Sequence, residues 1–157
     1  MDSKELNKLN KKLHKIGNEL VDSVKSMPAE IKNWLNIGAN QIRSTIILSM
    51  KNTPATGRHY KVSKTGKPHI ASSPGNPPAR LSGDLIKSII TDVREWEAEV
   101  GSYIEGSVPY PEYLEFGTKK MEARPWLAPA VEKHQDDIVN RIGKSVFEII
   151  GKSFEGK

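Results

Sequence analysis

The sequence LAPAVEKHQDDIVNRIGKSVFEIIGKSF, residues 127–154, is the most regular stretch of this 157-residue chain. Its apolar residues recur every three or four positions, which is the spacing of one face of an α-helix. This face consists of Leu127, Val131, His134, Ile138, Ile142, Val146, Ile149 (or Ile150) and Phe154. Pro125 and Pro129 fit the first turn of such a helix, where the missing N–H is not needed. We therefore expect a long C-terminal helix.

The first fifty residues show the same periodicity on two successive faces. A first face, from about Ser3 to Ser26, is formed by Leu6, Leu9, Leu13, Ile16, Leu20 and Val24. A second face, up to about Met50, is formed by Ile31, Leu35, Gly38 with Ala39, Ile42 and Ile46. Pro28 stands between them and suits either the first turn of a second helix or a kink in one long helix.

Between these helical regions the pattern changes to that of a small sheet. Leu81, Leu85 and Ile89 predict a short helix capped by Ser82. Residues 89–104 then alternate between apolar and polar side chains, which predicts two antiparallel strands joined by a tight turn near residues 95–97. The predicted fold class is α+β, with N-terminal helices and a long C-terminal helix packed on a small antiparallel sheet. Residues 1–157 form one domain, which consists of a helical N-terminal region (1–50), a basic loop (51–80) and a C-terminal region (81–157) with the hairpin, a connector and the last helix.

The positive charge of the chain is concentrated in residues 51–80. The formal net charge is +5, but this segment holds six basic residues and no acidic one. It also contains five of the ten prolines, which exclude a helix or a central strand. One interpretation is a solvated, flexible loop. The other is a basic arm that contacts a polyanion or a partner subunit through Arg58, Lys61, Lys64, Lys67 and Arg80.

Composition excludes several classes of protein. The chain has no cysteine, which excludes disulfides, thiolate metal sites and a cysteine nucleophile. No apolar run approaches the roughly 20 residues of a membrane helix, and residues 1–15 lack the apolar segment of a signal peptide. We expect a soluble protein made in the cytosol, with no membrane partner.

Nothing in the sequence indicates catalysis. His14, His59, His69 and His134 do not stand at ligand spacing with carboxylates, so no metal site is expected. Glu112 and Glu115 could share a helical face, but no nucleophile or oxyanion-binding group accompanies them. We therefore expect no catalytic residue and no cofactor, and an enzyme is the least favoured class.

An aromatic segment precedes the C-terminal helix. Tyr110, Tyr113 and Phe116 are followed by Gly117, which accepts a positive φ. One interpretation is a connector in which Tyr113, Phe116 and Trp126 anchor the helix to the sheet. The other is an interface with a partner. Arg124 is expected to pair with Glu115 and so orient the loop between them.

Two blocks of this sequence resemble a phage tail-component family. One block is matched at Tyr113, Glu115, Phe116, Gly117, Thr118, Ala123, Arg124, Pro125, Trp126, Leu127, Pro129 and Ala130. The other is matched at Pro74, Gly75, Pro77, Pro78, Ala79, Leu85, Ser88 and Ile89. The family usually has Thr-Gly-x-Leu before the short helix, where this chain has Ser82-Gly83-Asp84-Leu85. Its members are neck, head–tail joining or tail-completion proteins of long-tailed double-stranded DNA phages, and lambdoid minor tail protein Z is similar to them.

The resemblance implies a structural protein of the virion, located at the head–tail junction. It implies a ring, sixfold by similarity, whose partners are further copies of the chain, the head connector and the tail tube, with genomic DNA in the lumen. On this interpretation the motif forms a subunit or partner interface through Tyr113, Glu115, Phe116, Gly117, Thr118, Arg124, Pro125 and Trp126. The alternative function is non-specific DNA binding through the basic arm, by salt-sensitive phosphate contacts.

Overall fold

The computed structural model describes residues 3–61, 68–103 and 110–154. In chain order its elements are α1 (Ser3–Asn52), β1 (His59–Lys61), β2 (Pro68–Ile70), α2 (Asp84–Ser88), β3 (Ile89–Val93), β4 (Ala98–Ser102), α3 (Tyr110–Phe116) and α4 (Ala128–Phe154). The α+β fold class expected from the sequence is confirmed. Within the described ranges, no helix has both the length and the apolar character that a membrane crossing requires.

Of the two alternatives for the N-terminal region, the structure shows one continuous helix. Pro28 lies inside α1, which has 50 residues. A proline in this position removes one main-chain hydrogen bond and crowds the preceding turn. The apolar faces on both sides of Pro28 continue the same helical periodicity, so the loss does not end the helix here.

Helices α1 and α4 lie side by side and run in opposite directions. The hydroxyl of Thr45 lies 2.7 Å from His134 Nε2, and Ser145 donates to Glu30 Oε1 at 3.0 Å. Between these two contacts, the helices approach closely at Gly38. A Cβ built on this glycine would lie 2.6 Å from the Cδ1 atom of Ile138, so the backbone of α1 fits against that side chain only because Gly38 has none.

The predicted hairpin is confirmed, and a second hairpin accompanies it. Strands β3 and β4 pair antiparallel with Ile89 opposite Ser102, and Arg43 of α1 donates to the main-chain oxygen of Ile89 at 2.9 Å. In the basic segment, β1 pairs antiparallel with β2 as a separate two-stranded sheet. Both of its strands are edge strands, and Pro68 occupies the first position of β2, where a proline is tolerated. The segment 51–80 is therefore less irregular than its composition predicts.

The core lies where the second half of α1 meets all the later elements except the β1–β2 hairpin. Its buried side chains are Ile42, Ile46, Met50, Leu85, Ile89, Leu114, Trp126 and Ala130. The structure differs from the expectations in three further places. The connector contains the short helix α3, Pro125 precedes α4 rather than entering it, and the N-cap of α2 is Gly83 rather than Ser82. The Ser82 hydroxyl still accepts from the N–H of Asp84 at 3.3 Å.

Candidate interaction site around the Glu115 turn

The carboxylate of Glu115 caps the start of α4. Its Oε2 atom accepts hydrogen bonds from the N–H groups of Trp126, at 2.7 Å, and Leu127, at 2.9 Å. Its Oε1 atom accepts from Ala128 at 2.9 Å. The first N–H groups of a helix have no partner within the helix, and a negative charge interacts favourably with that end. Glu115 is buried, so these three bonds are shielded from water and join α3 firmly to α4.

The loop 117–127 between α3 and α4 turns sharply at its first residue. Gly117 has a φ of 74°, a region that other residues rarely adopt. A Cβ atom at this position would lie 2.8 Å from the main-chain oxygen of Met121. Thr118 and Met121 form a bridge that closes the turn, with the N–H of Thr118 donating to Met121 at 2.7 Å. Gly117 is therefore required by backbone geometry and by space.

The expected ion pair between Glu115 and Arg124 is wrong. Arg124 is only 6% exposed, and its guanidinium donates to main-chain oxygens, from Nε to Ser72 at 3.1 Å and from Nη1 to Glu122 at 3.2 Å. The N–H of Arg124 donates to Leu114 at 2.7 Å. Glu115 accepts from N–H groups at the start of α4, whereas Arg124 donates to the main-chain oxygen of Ser72. The two side chains therefore bond different segments of the chain.

The aromatic residues of the motif divide between the interior and the surface. Trp126 is 4% exposed, and its indole N–H donates to the main-chain oxygen of Pro111 at 3.1 Å. Phe116 is 81% exposed, and Tyr113 is also exposed. The expectation that all three anchor the helix to the sheet is correct only for Trp126. Pro125 is half-buried beside it, and Thr118 is exposed on the loop.

The two sequence blocks that carry the resemblance meet in space. The N–H of Gly75, in the block 74–89, donates to the main-chain oxygen of Ala123, in the block 113–130, at 2.9 Å. The Arg124 side chain donates to the carbonyl of Ser72, two residues before the block 74–89. Pro78 of that block is buried. Sequence reasoning placed Arg124 in the site but missed Ser72, because nothing in a serine-rich turn indicates a buried acceptor for a distant arginine.

A groove of about 330 Å³ opens between the β1–β2 hairpin and the loop 117–127. Its walls combine cationic, aromatic and apolar side chains, including Arg58, Tyr60, His69, Leu81, Tyr110, Lys120, Met121 and Arg124. Burial raises the pKa of the Tyr110 phenol, and the positive charge of Arg124 offsets some of this effect. The phenol therefore remains protonated at neutral pH and keeps a donor for hydrogen bonding.

The structure brings to this groove only some of the residues predicted for the basic arm in segment 51–80. Arg58 lines it, with its guanidinium 5.6 Å from the ring centre of Tyr60, a cation–π contact. Arg80 is exposed and lies over Gly83, outside the groove. Lys64 and Lys67 lie outside the described residues, and so does the side chain of Lys61.

The histidine of α4, His134, lies at the contact between α4 and α1. His134 is half-buried on the face toward α1 and bonds Thr45 there, as expected for a histidine on an apolar helix face. Among the described residues, no three His, Asp or Glu side chains come together in a group that could hold a metal ion. Glu112 is exposed while Glu115 is buried, so these two carboxylates do not act on one surface.

No protein-family model, curated protein or solved structure matches this chain. The resemblance to tail-component proteins therefore rests on the two sequence blocks.

Proposed function

We propose that this chain is a structural protein of the head–tail junction of a long-tailed double-stranded DNA phage or prophage. In this role it completes the tail or joins it to the head connector, as a subunit of a ring, and it is located in the virion. The observation that supports this proposal best is a pair of different apolar surfaces on the two long helices. Each is exposed on the isolated chain, and each suits contact with another protein.

The first surface is the N-terminal arm of α1, defined here as residues 11–24. Continuing the antiparallel alignment of Glu30 with Ser145 places Phe154, the last residue of α4, level with Val21. Most of the arm therefore extends past the end of α4. Its apolar side chains Leu13, Ile16 and Val24 are exposed, although their spacing is that of a buried helix face.

The second surface is the outer face of α4, defined here by Val139, Phe147 and Ile150. These residues stand eight and three positions apart, which places them on one side of the helix. All three are exposed, and Gly143 between Val139 and Phe147 leaves a shallow depression. The exposed apolar side chains of each surface span eleven positions, from Leu13 to Val24 and from Val139 to Ile150, or about 16 Å of helix.

Two different surfaces on one chain favour a head-to-tail contact between copies. When the arm of one subunit binds the outer face of the next, each subunit retains one free surface, and a suitable rotation closes a ring. The turn that begins at Gly117 adds a third element, because it follows Phe116 directly and its backbone is fixed by hydrogen bonds. A rigid exposed aromatic residue is a suitable anchor for the head connector or the tail tube.

Complementation between two variants tests the ring. The arm variant Leu13→Ser with Ile16→Ser, and the face variant Phe147→Ser, should each fail to form rings when mass is measured by light scattering. Mixed together they should form a one-to-one pair, since each supplies the surface that the other lacks. Leu48→Ser, which changes an exposed leucine of α1 outside both surfaces, should assemble as the unchanged chain does.

Two outcomes would contradict the proposal. One is assembly by both variants to the same mass as the unchanged chain. The other concerns function in the phage: normal infectious particles formed without this protein, seen by electron microscopy and plaque assay, would remove it from the head–tail junction.

Sequence-independent DNA binding is the second candidate function. It is favoured by Arg58, which is exposed immediately before β1 in a segment without acidic residues. Duplex DNA should then bind at low salt, bind more weakly as salt rises, and lose affinity in a variant with Arg58, Lys61, Lys64 and Lys67 changed to alanine. A lack of DNA binding at low salt would eliminate this function.

A further inference from the structure

We propose that the groove between the β1–β2 hairpin and the loop 117–127 binds an acidic peptide segment, in which a carboxylate stands next to apolar side chains. This proposal goes beyond the assembly function and does not depend on it, because the residues that line the groove come from a single chain. It rests on a buried cation that no described residue neutralises, a buried hydroxyl that no described residue bonds, and the chemistry of the walls.

The buried cation is Arg124. Its bonds to Ser72 and Glu122 both end on neutral carbonyl oxygens, and it forms no ion pair among the described residues. Its Nη2 atom makes none of the described hydrogen bonds and is not among the fully buried side-chain atoms that lack a partner, so it retains access to solvent. Burying a charge is costly unless an opposite charge or sufficient hydrogen bonds compensate it. A carboxylate in the groove would supply the missing charge and accept from Nη2.

The unpartnered hydroxyl belongs to Ser72, which also borders the groove. Ser72 is completely buried, and its Oγ atom has no hydrogen-bond partner among the residues that the structure describes. Buried polar groups almost always have one. Ser72 and Arg124 are adjacent, since the arginine bonds the serine carbonyl. A buried hydroxyl without a described partner and a buried cation without a described counter-charge thus meet at one wall.

The walls determine which anion fits. Arg58 and Lys120 are exposed and lie on opposite sides, one before β1 and one on the loop. They add positive charge above Arg124, and no acidic residue lines the described groove. Leu81, Met121 and other apolar side chains form the surface between them. Cations combined with apolar surface favour a carboxylate on an apolar peptide, whereas a nucleic-acid backbone is polar throughout.

The size of the groove agrees with this ligand. About 330 Å³ is at the lower end of the volumes of small-ligand sites, so a few residues of an extended peptide fit and a DNA duplex does not. The positive groups on both sides would attract an acidic segment before contact and orient it toward Arg124.

Fluorescence anisotropy with a labelled peptide of alternating leucine and glutamate tests the proposal. A matched peptide with glutamine in place of glutamate should bind about tenfold more weakly, which corresponds to about 1.4 kcal/mol. Arg58→Ala and Lys120→Ala should each weaken binding of the glutamate peptide and reduce its dependence on salt. Ser72→Ala should not lower stability, since it removes a hydroxyl that no described group bonds.

Lys87→Ala is the matched control, because Lys87 is an exposed cation of α2 outside the groove. It should leave binding unchanged, and circular dichroism should show that every variant is folded. Equal binding of the two peptides, or no binding of either, would overturn the proposal. So would tighter binding of a single-stranded DNA oligomer that Arg58→Ala and Lys120→Ala both weaken.

Discussion

The Oε2 atom of Glu115 lies 2.7 Å from the main-chain nitrogen of Trp126, eleven residues further along the chain. The same carboxylate accepts from the N–H groups of Leu127, the last residue of the loop, and Ala128, the first residue of α4. One buried side chain on a seven-residue helix thus replaces the local cap that the sequence before α4, Arg124-Pro125-Trp126-Leu127, does not provide. The start of α4 and the end of α3 are held as one unit, with Phe116 exposed beside it.

Glu115→Gln should lower the free energy of unfolding by about 2–3 kcal/mol, the range for losing hydrogen bonds to a buried charged group. The amide nitrogen of glutamine cannot accept from an N–H group, and the negative charge at the helix start is also lost. Urea unfolding measures the change. Glu112→Gln, an exposed position on the same helix, should change stability by less than about 0.5 kcal/mol. Equal effects of the two substitutions would show that Glu115 does not cap α4.

Gly117→Ala should be clearly more destabilising than Gly75→Ala. Both glycines have positive φ, 74° and 80°, so both substitutions carry a left-handed backbone cost of about 1–2 kcal/mol. At Gly117 the new Cβ also meets the oxygen of Met121 at 2.8 Å and the nitrogen of Ala123 at 2.9 Å, whereas nothing lies within 4 Å at Gly75. Comparing the two denaturation midpoints isolates the steric cost, and similar midpoints would refute the tight turn.

Two glycines inside the long helices should respond with opposite signs. Gly143→Ala meets nothing within 4 Å and should stabilise the chain by about 0.5–1 kcal/mol through helix propensity. Gly38→Ala gains the same propensity, but its Cβ would lie 2.6 Å from Ile138. Overpacking of this kind costs about 1–3 kcal/mol, so we expect a net loss. Thermal unfolding checks both, and stabilisation by Gly38→Ala would contradict the close approach of α1 and α4.

Substitution of the buried aromatic residue of the motif should lower stability, whereas substitution of the exposed one should impair assembly. Trp126→Phe loses the bond to Pro111 and leaves space in the core, which should cost about 1–2 kcal/mol. Phe116→Ser changes a side chain that is 81% exposed and should alter stability by less than about 0.5 kcal/mol. Unfolding by urea measures the first effect, and incorporation into tails, followed by immunoblot of purified particles, measures the second. Normal incorporation of Phe116→Ser would exclude Phe116 as a partner anchor.

Local periodicity was sufficient to predict the helical N-terminal region, α2, α4 and the β3–β4 hairpin, but not the short helix α3. A helix face repeats every three or four residues and a strand face every two, so each pattern is contained in a short window of sequence. The register of α1 against α4 was not predictable in this way. It depends on the fit of Gly38 to Ile138 and of Thr45 to His134, residues about 90–100 positions apart.

The partners of the charged motif residues also depended on distant segments of the chain. Glu115 and Arg124 have opposite charges nine positions apart, and sequence alone favoured their pairing. Folding instead brings the start of α4 to Glu115 and the carbonyl of Ser72 to Arg124. Main-chain groups are present at every position, so no residue type marks which of them a buried side chain will meet. The long helices follow from local spacing, whereas the groove beside Arg124 exists only because the β1–β2 hairpin and the loop 117–127 converge.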